Sequence, residues 1–178
     1  PGEMFFEEFD RYFQRTRNDL PYLSPSDYAG NLAGIVVKHH GEVQKATDYF
    51  GVVPSVVHNG VPVYQERRAR GSRSSLRHRL GTLARLSPDK RLEELLLAFG
   101  KVHASLPDVV LFVGGGADPG FEEYARGLLA STSGLPIVWL GEVRPSEVFE
   151  RIELFVLNAE PSGFPNASLE AMEYGLPV

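Results

Sequence analysis

From Leu32 onward the chain alternates short, continuous apolar runs with stretches of helical period. The run from Leu32 to Val37 predicts a buried strand. Residues 42–50 predict a short helix stopped by Gly51, and Val56 with Val57 a second strand closed by an Asn59-Gly60 turn. Four further strands are expected at 80–84 (LGTLA), 109–113 (VVLFV), 137–140 (IVWL) and 154–157 (LFVL). Helices are expected between and after them, over 88–104, 121–130, 145–152 and 166–174. The longest has Leu92, Leu95, Leu96, Phe99 and Val102 as its apolar stripe, with Ser87 as N-cap and Pro88 opening the first turn. Gly175 stops the last. Nearly continuous apolar strands separated by helices predict an α/β protein with a doubly wound parallel sheet covered on both faces.

Residues 1–30 stand apart. Phe5, Phe6, Phe9, Tyr12 and Phe13 fall on one face at helical spacing, with Glu3, Glu7, Glu8, Asp10 and Arg11 opposite, which predicts an amphipathic packing helix. Asn18, Asp19, Pro21, Ser24, Pro25 and Ser26 then predict an irregular stretch.

Composition narrows the class. Of the 178 residues 43% are hydrophobic and 23% charged, which is ordinary for a globular protein. The absence of cysteine excludes a disulfide framework, a thiolate metal site and a cysteine nucleophile. No run approaches the ~20 apolar residues of a membrane span and no secretory pattern opens the chain, so a cytoplasmic setting is expected. Net charge is −5, but residues 64–91 alone carry +7 and the rest −12. The basic strip Arg67–Arg79 is read either as a solvated linker or as a contact for an anionic acceptor or the inner membrane face. With the body of the chain acidic, no nucleic-acid partner is expected.

Parallel sheets bind ligands beyond the carboxyl ends of their strands. Arg85, Ser87 and Lys90 follow the strand at 80–84, and Gly114, Gly115 and Gly116 follow that at 109–113. Gly141, Glu142 and Val143 follow the third, and the segment from Glu160 to Asn166 leads from the fourth into a helix. One edge thus gathers two cations, the glycine clusters and a helix N-terminus, a set suited to an anion and above all to phosphate. The alternative is a pair of solvated cations. The glycines either let a ligand approach the backbone or serve turn chemistry. Pro119 stands where a dinucleotide fingerprint needs its third glycine. His39 and His40 lack metal-ligand spacing, His58 and His103 read as turn and helix-surface residues, and no serine sits in a nucleophile elbow. No metal and no cofactor are expected.

From about Val56 to Val178 the motifs resemble the C-terminal, donor-binding half of the retaining group 1 glycosyltransferases often called family 4. His58-Asn59-Gly60-Val61 is similar to the turn that joins that family's two domains. Ala84-Arg85-Leu86-Ser87-Pro88-Asp89-Lys90 resembles its Gly-Arg-Leu-Ser-Pro-Glu-Lys segment. Val113-Gly114-Gly115-Gly116 and Leu140-Gly141-Glu142-Val143 match its glycine turns. The stretches Gly163-Phe164-Pro165-Asn166, Leu169-Glu170-Ala171-Met172 and Gly175-Leu176-Pro177-Val178 follow its most distinctive region. The resemblance implies a GT-B fold of two Rossmann-like domains and transfer of a sugar from a nucleotide-diphosphate sugar to a sugar, lipid or small-molecule acceptor, with retention. It implies that Arg85 and Lys90 hold the diphosphate and neutralise it as it leaves. Glu170 would accept from the ribose hydroxyls, and the backbone of Glu142 and Val143 would border the base. Backbone N–H groups around Gly163, Phe164 and Pro165–Asn166 would face sugar and phosphate, though Pro165 itself can donate none, and Gly115 and Gly116 are counted among the donor-binding residues.

Two departures from the family pattern stand out. Where the family has a glutamate eight positions before Glu170, this chain has Ser162. Either Glu160 substitutes for it, or the donor sugar differs, or the protein is catalytically weakened. The second departure is length: residues 1–62 are expected to be a remnant of the acceptor-side domain, and 63–178 a donor domain cut short at its C-terminus. A non-catalytic nucleotide-binding module derived from a glycosyltransferase is the alternative reading. A nicotinamide oxidoreductase is disfavoured by the broken fingerprint.

Overall fold

A computed structural model describes residues 24–61, 78–158 and 165–178. The expected aromatic helix near the start, the strip from Arg67 to Arg77, and Glu160, Ser162, Gly163 and Phe164 lie outside the described residues. The chain divides into two compact units, Pro1–Asn59 and Gly60–Val178.

The first unit holds helix α1 (Pro25–Gly30), strand β1 (Val36–Val37), a 3-10 turn (His40–Glu42), helix α2 (Val43–Phe50) and strand β2 (Ser55–Val56). Of the stretch read as irregular, Ser24, Pro25 and Ser26 instead start α1. Ser24 accepts the backbone N–H of Asp27 at 3.1 Å, and Pro25 opens the helix, where its missing N–H costs nothing. Gly51, at φ 70°, ends α2. The run 32–37 is only partly a strand: Leu32 is exposed and Val37 alone is buried. β1 and β2 pair in parallel, with Val36 beside Ser55 and Val37 beside Val56. Ala29, Val37, Ala46 and Phe50 form this unit's small core.

The second unit follows the expected alternation: β3 (His78–Leu83), α3 (Leu92–Ser105), β4 (Val109–Gly114), α4 (Glu122–Ser131), β5 (Ile137–Gly141), α5 (Pro145–Phe149), β6 (Leu154–Phe155) and α6 (Asn166–Glu173). The sheet runs β5-β4-β3-β6, every pairing parallel. Side chains alternate across it. Val109, Leu111 and Val113 of β4 pack with Leu92, Leu95, Leu96 and Phe99 of α3 and Leu128 of α4. Phe112 faces the other side, where Val148 and Phe149 of α5, Ile152, Phe155 and Ala171 of α6 form a second core. The sheet is covered on both faces, a Rossmann-like arrangement.

Several boundaries differ from the sequence expectation. Ser87 and Pro88 do not open the long helix. Pro88–Lys90 makes a 3-10 turn, Arg91 adopts a left-handed conformation (φ 49°, ψ 39°), and α3 begins at Leu92. Val102, expected in the apolar stripe, is 43% exposed. The helix expected over 145–152 ends at Phe149, which frees Ile152 to fill the space beside Gly81; a Cβ there would lie 2.5 Å from the Ile152 Cγ2. Among the described residues no helix is long and apolar enough to cross a membrane.

Candidate functional site

The chain builds outward from β3 to β4 to β5, then returns to the other side of β3 as β6. Such a reversal opens a crevice at the carboxyl edge of the sheet. A cleft of about 710 Å³ lies at that edge, bordered by the segments after β3, β4 and β5 and by the start of α6.

Backbone pairing continues past the strands and shapes the floor. The Ala84 N–H donates to the Gly114 carbonyl at 3.0 Å and the Leu86 N–H to that of Gly116 at 2.8 Å, and Leu86 bridges to Ala117. This requires a glycine at 115, because a Cβ there would lie 1.8 Å from the Ala84 carbonyl oxygen and φ is 137°. Gly114 is required by Val148, whose Cγ2 would be 2.6 Å from an added Cβ. Internal packing by itself requires both glycines, and Gly115 also borders the cleft. At Gly116 an added Cβ would make only ordinary contact, 3.5 Å from the Glu142 Cβ.

The continued pairing also sets the side chains. Leu86 is buried, so Arg85 projects toward the cleft. Asp118, one residue past the Ala117 bridge, accepts from the Arg85 Nη1 at 2.6 Å. Lys90 sits at the end of the 3-10 turn, its Nζ 2.7 Å from Asp89 Oδ2. The buried Ser87 hydroxyl donates to the other Asp89 oxygen at 2.5 Å. Burial raises the Asp89 carboxyl, but hydrogen bonds from Lys90 and Ser87 and the charges of Lys90 and Arg85 outweigh it and hold the group below its usual value. The end of the turn is tied to the segment after β6 by Asn158, whose amide donates to the Arg91 carbonyl at 2.9 Å. Arg85 and Lys90 are thus both paired in the structure. Each arrives with its own carboxylate.

The fourth side is α6. Its N-cap is Pro165, which offers no side-chain acceptor, so among the described residues the first-turn N–H groups have no side-chain cap. Asn166 and Ala167 border the cleft there. Glu170 is the fifth residue of the helix and half-buried, not an exposed first-turn carboxylate. Burial pushes its carboxyl above the usual range.

Eight residues singled out in the sequence border this one cleft: Arg85, Lys90, Gly115, Gly116, Glu142, Val143, Asn166 and Glu170. Asp118 borders it too and was missed. Its signal was its place just past the glycines at a strand's carboxyl end. Arg79, counted in the basic strip, is half-buried and lies 3.5 Å from Glu153, so it belongs to the fold. His103, expected at the helix surface, is half-buried and stacks on Phe99 at a ring separation of 6.3 Å. Among the described residues no group of three histidine, aspartate or glutamate side chains is arranged to hold a metal ion.

Comparison with solved structures returns the same fold. A mutant of S. aureus TarM, in complex with fondaparinux, alpha-GlcNAc-glycerol and UDP, superposes with a TM-score of 0.67 at 19% identity, over 84% of this chain and 30% of that one. The pneumococcal O-GlcNAc transferase GtfA, in complex with UDP and GlcNAc, gives 0.57 at 20% identity, over 80% and 28%. WaaG, a glycosyltransferase involved in lipopolysaccharide biosynthesis, gives 0.59 at 19% identity, over 80% and 42%. This chain spans less than half the length of each. The α/β architecture matches these GT-B glycosyltransferases. No curated protein sequence matches the chain. The family model described as "Glycosyl transferases group 1" matches residues 77–178, the region that builds the sheet and the cleft. The chain belongs to the group 1 glycosyl transferases.

Proposed function

We propose that this chain binds the donor of a glycosyltransferase that moves a sugar from a nucleotide-diphosphate sugar to an acceptor with retention of configuration. The observation that carries the reading is the convergence of Arg85, Lys90 and the N-terminus of α6 on one cleft at the switch edge of a parallel sheet. These are donors for a diphosphate. In the reaction their work is to stabilise charge as the nucleoside diphosphate departs and an oxocarbenium-like sugar is left. Glu170, held at the cleft on α6, accepts from ribose hydroxyls. Glu142 and Val143 border the base, two strand positions from Arg85. Glu160, Ser162, Gly163 and Phe164 complete the donor-sugar side on the strength of the family resemblance. UDP in the TarM and GtfA structures supports the choice of ligand.

Calorimetric titration with UDP, GDP, ADP and their sugars tests this. Binding of one of them is expected, weakened about 10- to 100-fold by Arg85→Ala or Lys90→Ala, as befits a lost charge-assisted hydrogen bond. No affinity for any of them overturns the reading. Ser162 favours a second reading, a nucleotide-binding module without turnover. Sugar transfer to any acceptor with this chain present would dismiss it.

A further inference from the structure

The cleft carries two cations, Arg85 and Lys90, against three carboxylates, Asp118, Glu142 and Glu170. Among the described residues the cleft's side chains thus carry no net positive charge with which to draw in a diphosphate. Its most exposed cation is already engaged. The Arg85 side chain is 58% exposed and the Asp118 side chain only 20%, so Asp118 is the fixed partner and Arg85 the one that meets solvent. Asp118 is fixed by backbone as well, through the Leu86–Ala117 bridge just before it. Glu142 and Glu170 make no ion pair or hydrogen bond through their carboxylates among the described residues.

We infer that Asp118 is a resident counter-ion that competes with the incoming anion for Arg85. In the empty cleft the Asp118 carboxylate occupies the guanidinium; a diphosphate binds by exchanging with it, and the carboxylate recaptures Arg85 when the product leaves. Asp118 thereby weakens the hold on the leaving group and favours its release. This rests on the donor-binding reading above. The opposite role would be a clamp that aims Arg85 at the phosphate, in which case losing the carboxylate weakens binding. The exposed position of Arg85 and the pre-neutralised charge favour competition.

Titration of inorganic pyrophosphate into the full chain at low salt separates these roles. Asp118→Asn keeps the shape and removes the charge. It is expected to tighten binding about two- to fivefold, the worth of an exposed ion pair, with the gain shrinking as salt rises. Glu142→Gln removes one charge from the same cleft without touching Arg85 and is expected to gain less. Asp118→Ser serves as a second substitution should the asparagine variant fold poorly. Unchanged or weaker binding in both Asp118 variants, with thermal unfolding intact, overturns the inference and leaves the donor-binding reading in place. An equal or larger gain from Glu142→Gln also overturns it, since the effect would then be general charge. A wild-type chain that binds neither pyrophosphate nor any nucleoside diphosphate overturns both.

Discussion

Glu170 shows how one side chain serves folding and binding in opposite directions. Its carboxyl is raised above its unfolded value by burial, so the folded chain holds the proton more tightly than the unfolded one. The stability contributed by that proton is complete below the ordinary glutamate pKa and is lost as pH rises through the raised value. At neutral pH the ionised group is a cost borne by the fold. Glu170→Gln is therefore expected to raise Tm at pH 7 by a few degrees at most, about 1–4 °C, and to raise it less at pH 4. The same substitution is expected to weaken nucleotide binding by removing an acceptor for ribose hydroxyls. Thermal scans at the two pH values, beside a nucleotide titration, check both halves. Lower Tm at pH 7 would show that the carboxylate is stabilised rather than strained. The type and position of Glu170 were legible in the sequence, as were those of Arg85 and Lys90. Their pairings were not. Asp118 is 33 residues from Arg85 in sequence, and only the β3–β4 register sets the two side by side.

At the scale of elements the informative place is the join between the 3-10 turn and α3. Arg91 is the only non-glycine residue with positive φ among those described. The kink turns Lys90 toward the cleft while Leu92 starts the buried stripe of α3. A side chain with a Cβ bears strain in this conformation, and a β-branched one bears more. Arg91→Val is thus expected to destabilise by about 1–2 kcal/mol, with Arg91→Gly near neutral because glycine takes the conformation freely and only the exposed Glu94 contact is lost. Urea unfolding of the two variants checks the order; equal losses would place the cost in the side chain instead. Sequence reading merged the turn with α3 because Ser87 and Pro88 form a good start signal and the leucine period follows at once. The signal was real but served the turn. Nothing in the local sequence marks Arg91 as left-handed; its carbonyl accepts a tertiary hydrogen bond from the Asn158 amide, three residues beyond β6. Similarly, Ile152 left the predicted helix because the face of Gly81 offered it a better place.

For the whole molecule, each buried cluster is drawn from one unit. The two cores of the sheet lie within Gly60–Val178, and the small core of Ala29, Val37, Ala46 and Phe50 within Pro1–Asn59. A chain of residues 60–178 is expected to unfold in one cooperative thermal transition and to retain nucleotide binding within about threefold, because the whole described cleft lies inside it. Loss of the transition would show that the first unit is required for the sheet to fold. By itself the sequence determined the class of this protein. Continuous apolar strands must be buried on both faces, and helices of the observed length and period are what cover them. It also determined which residue types stand at the carboxyl edge, since a parallel sheet puts every following loop at that same end. Only the tertiary structure decided what those residues meet. It spent Gly114 and Gly115 on packing, gave Arg85 and Lys90 carboxylate partners, and half-buried Glu170. Such contacts depend on the register of strands and the seating of helices, which long-range packing sets.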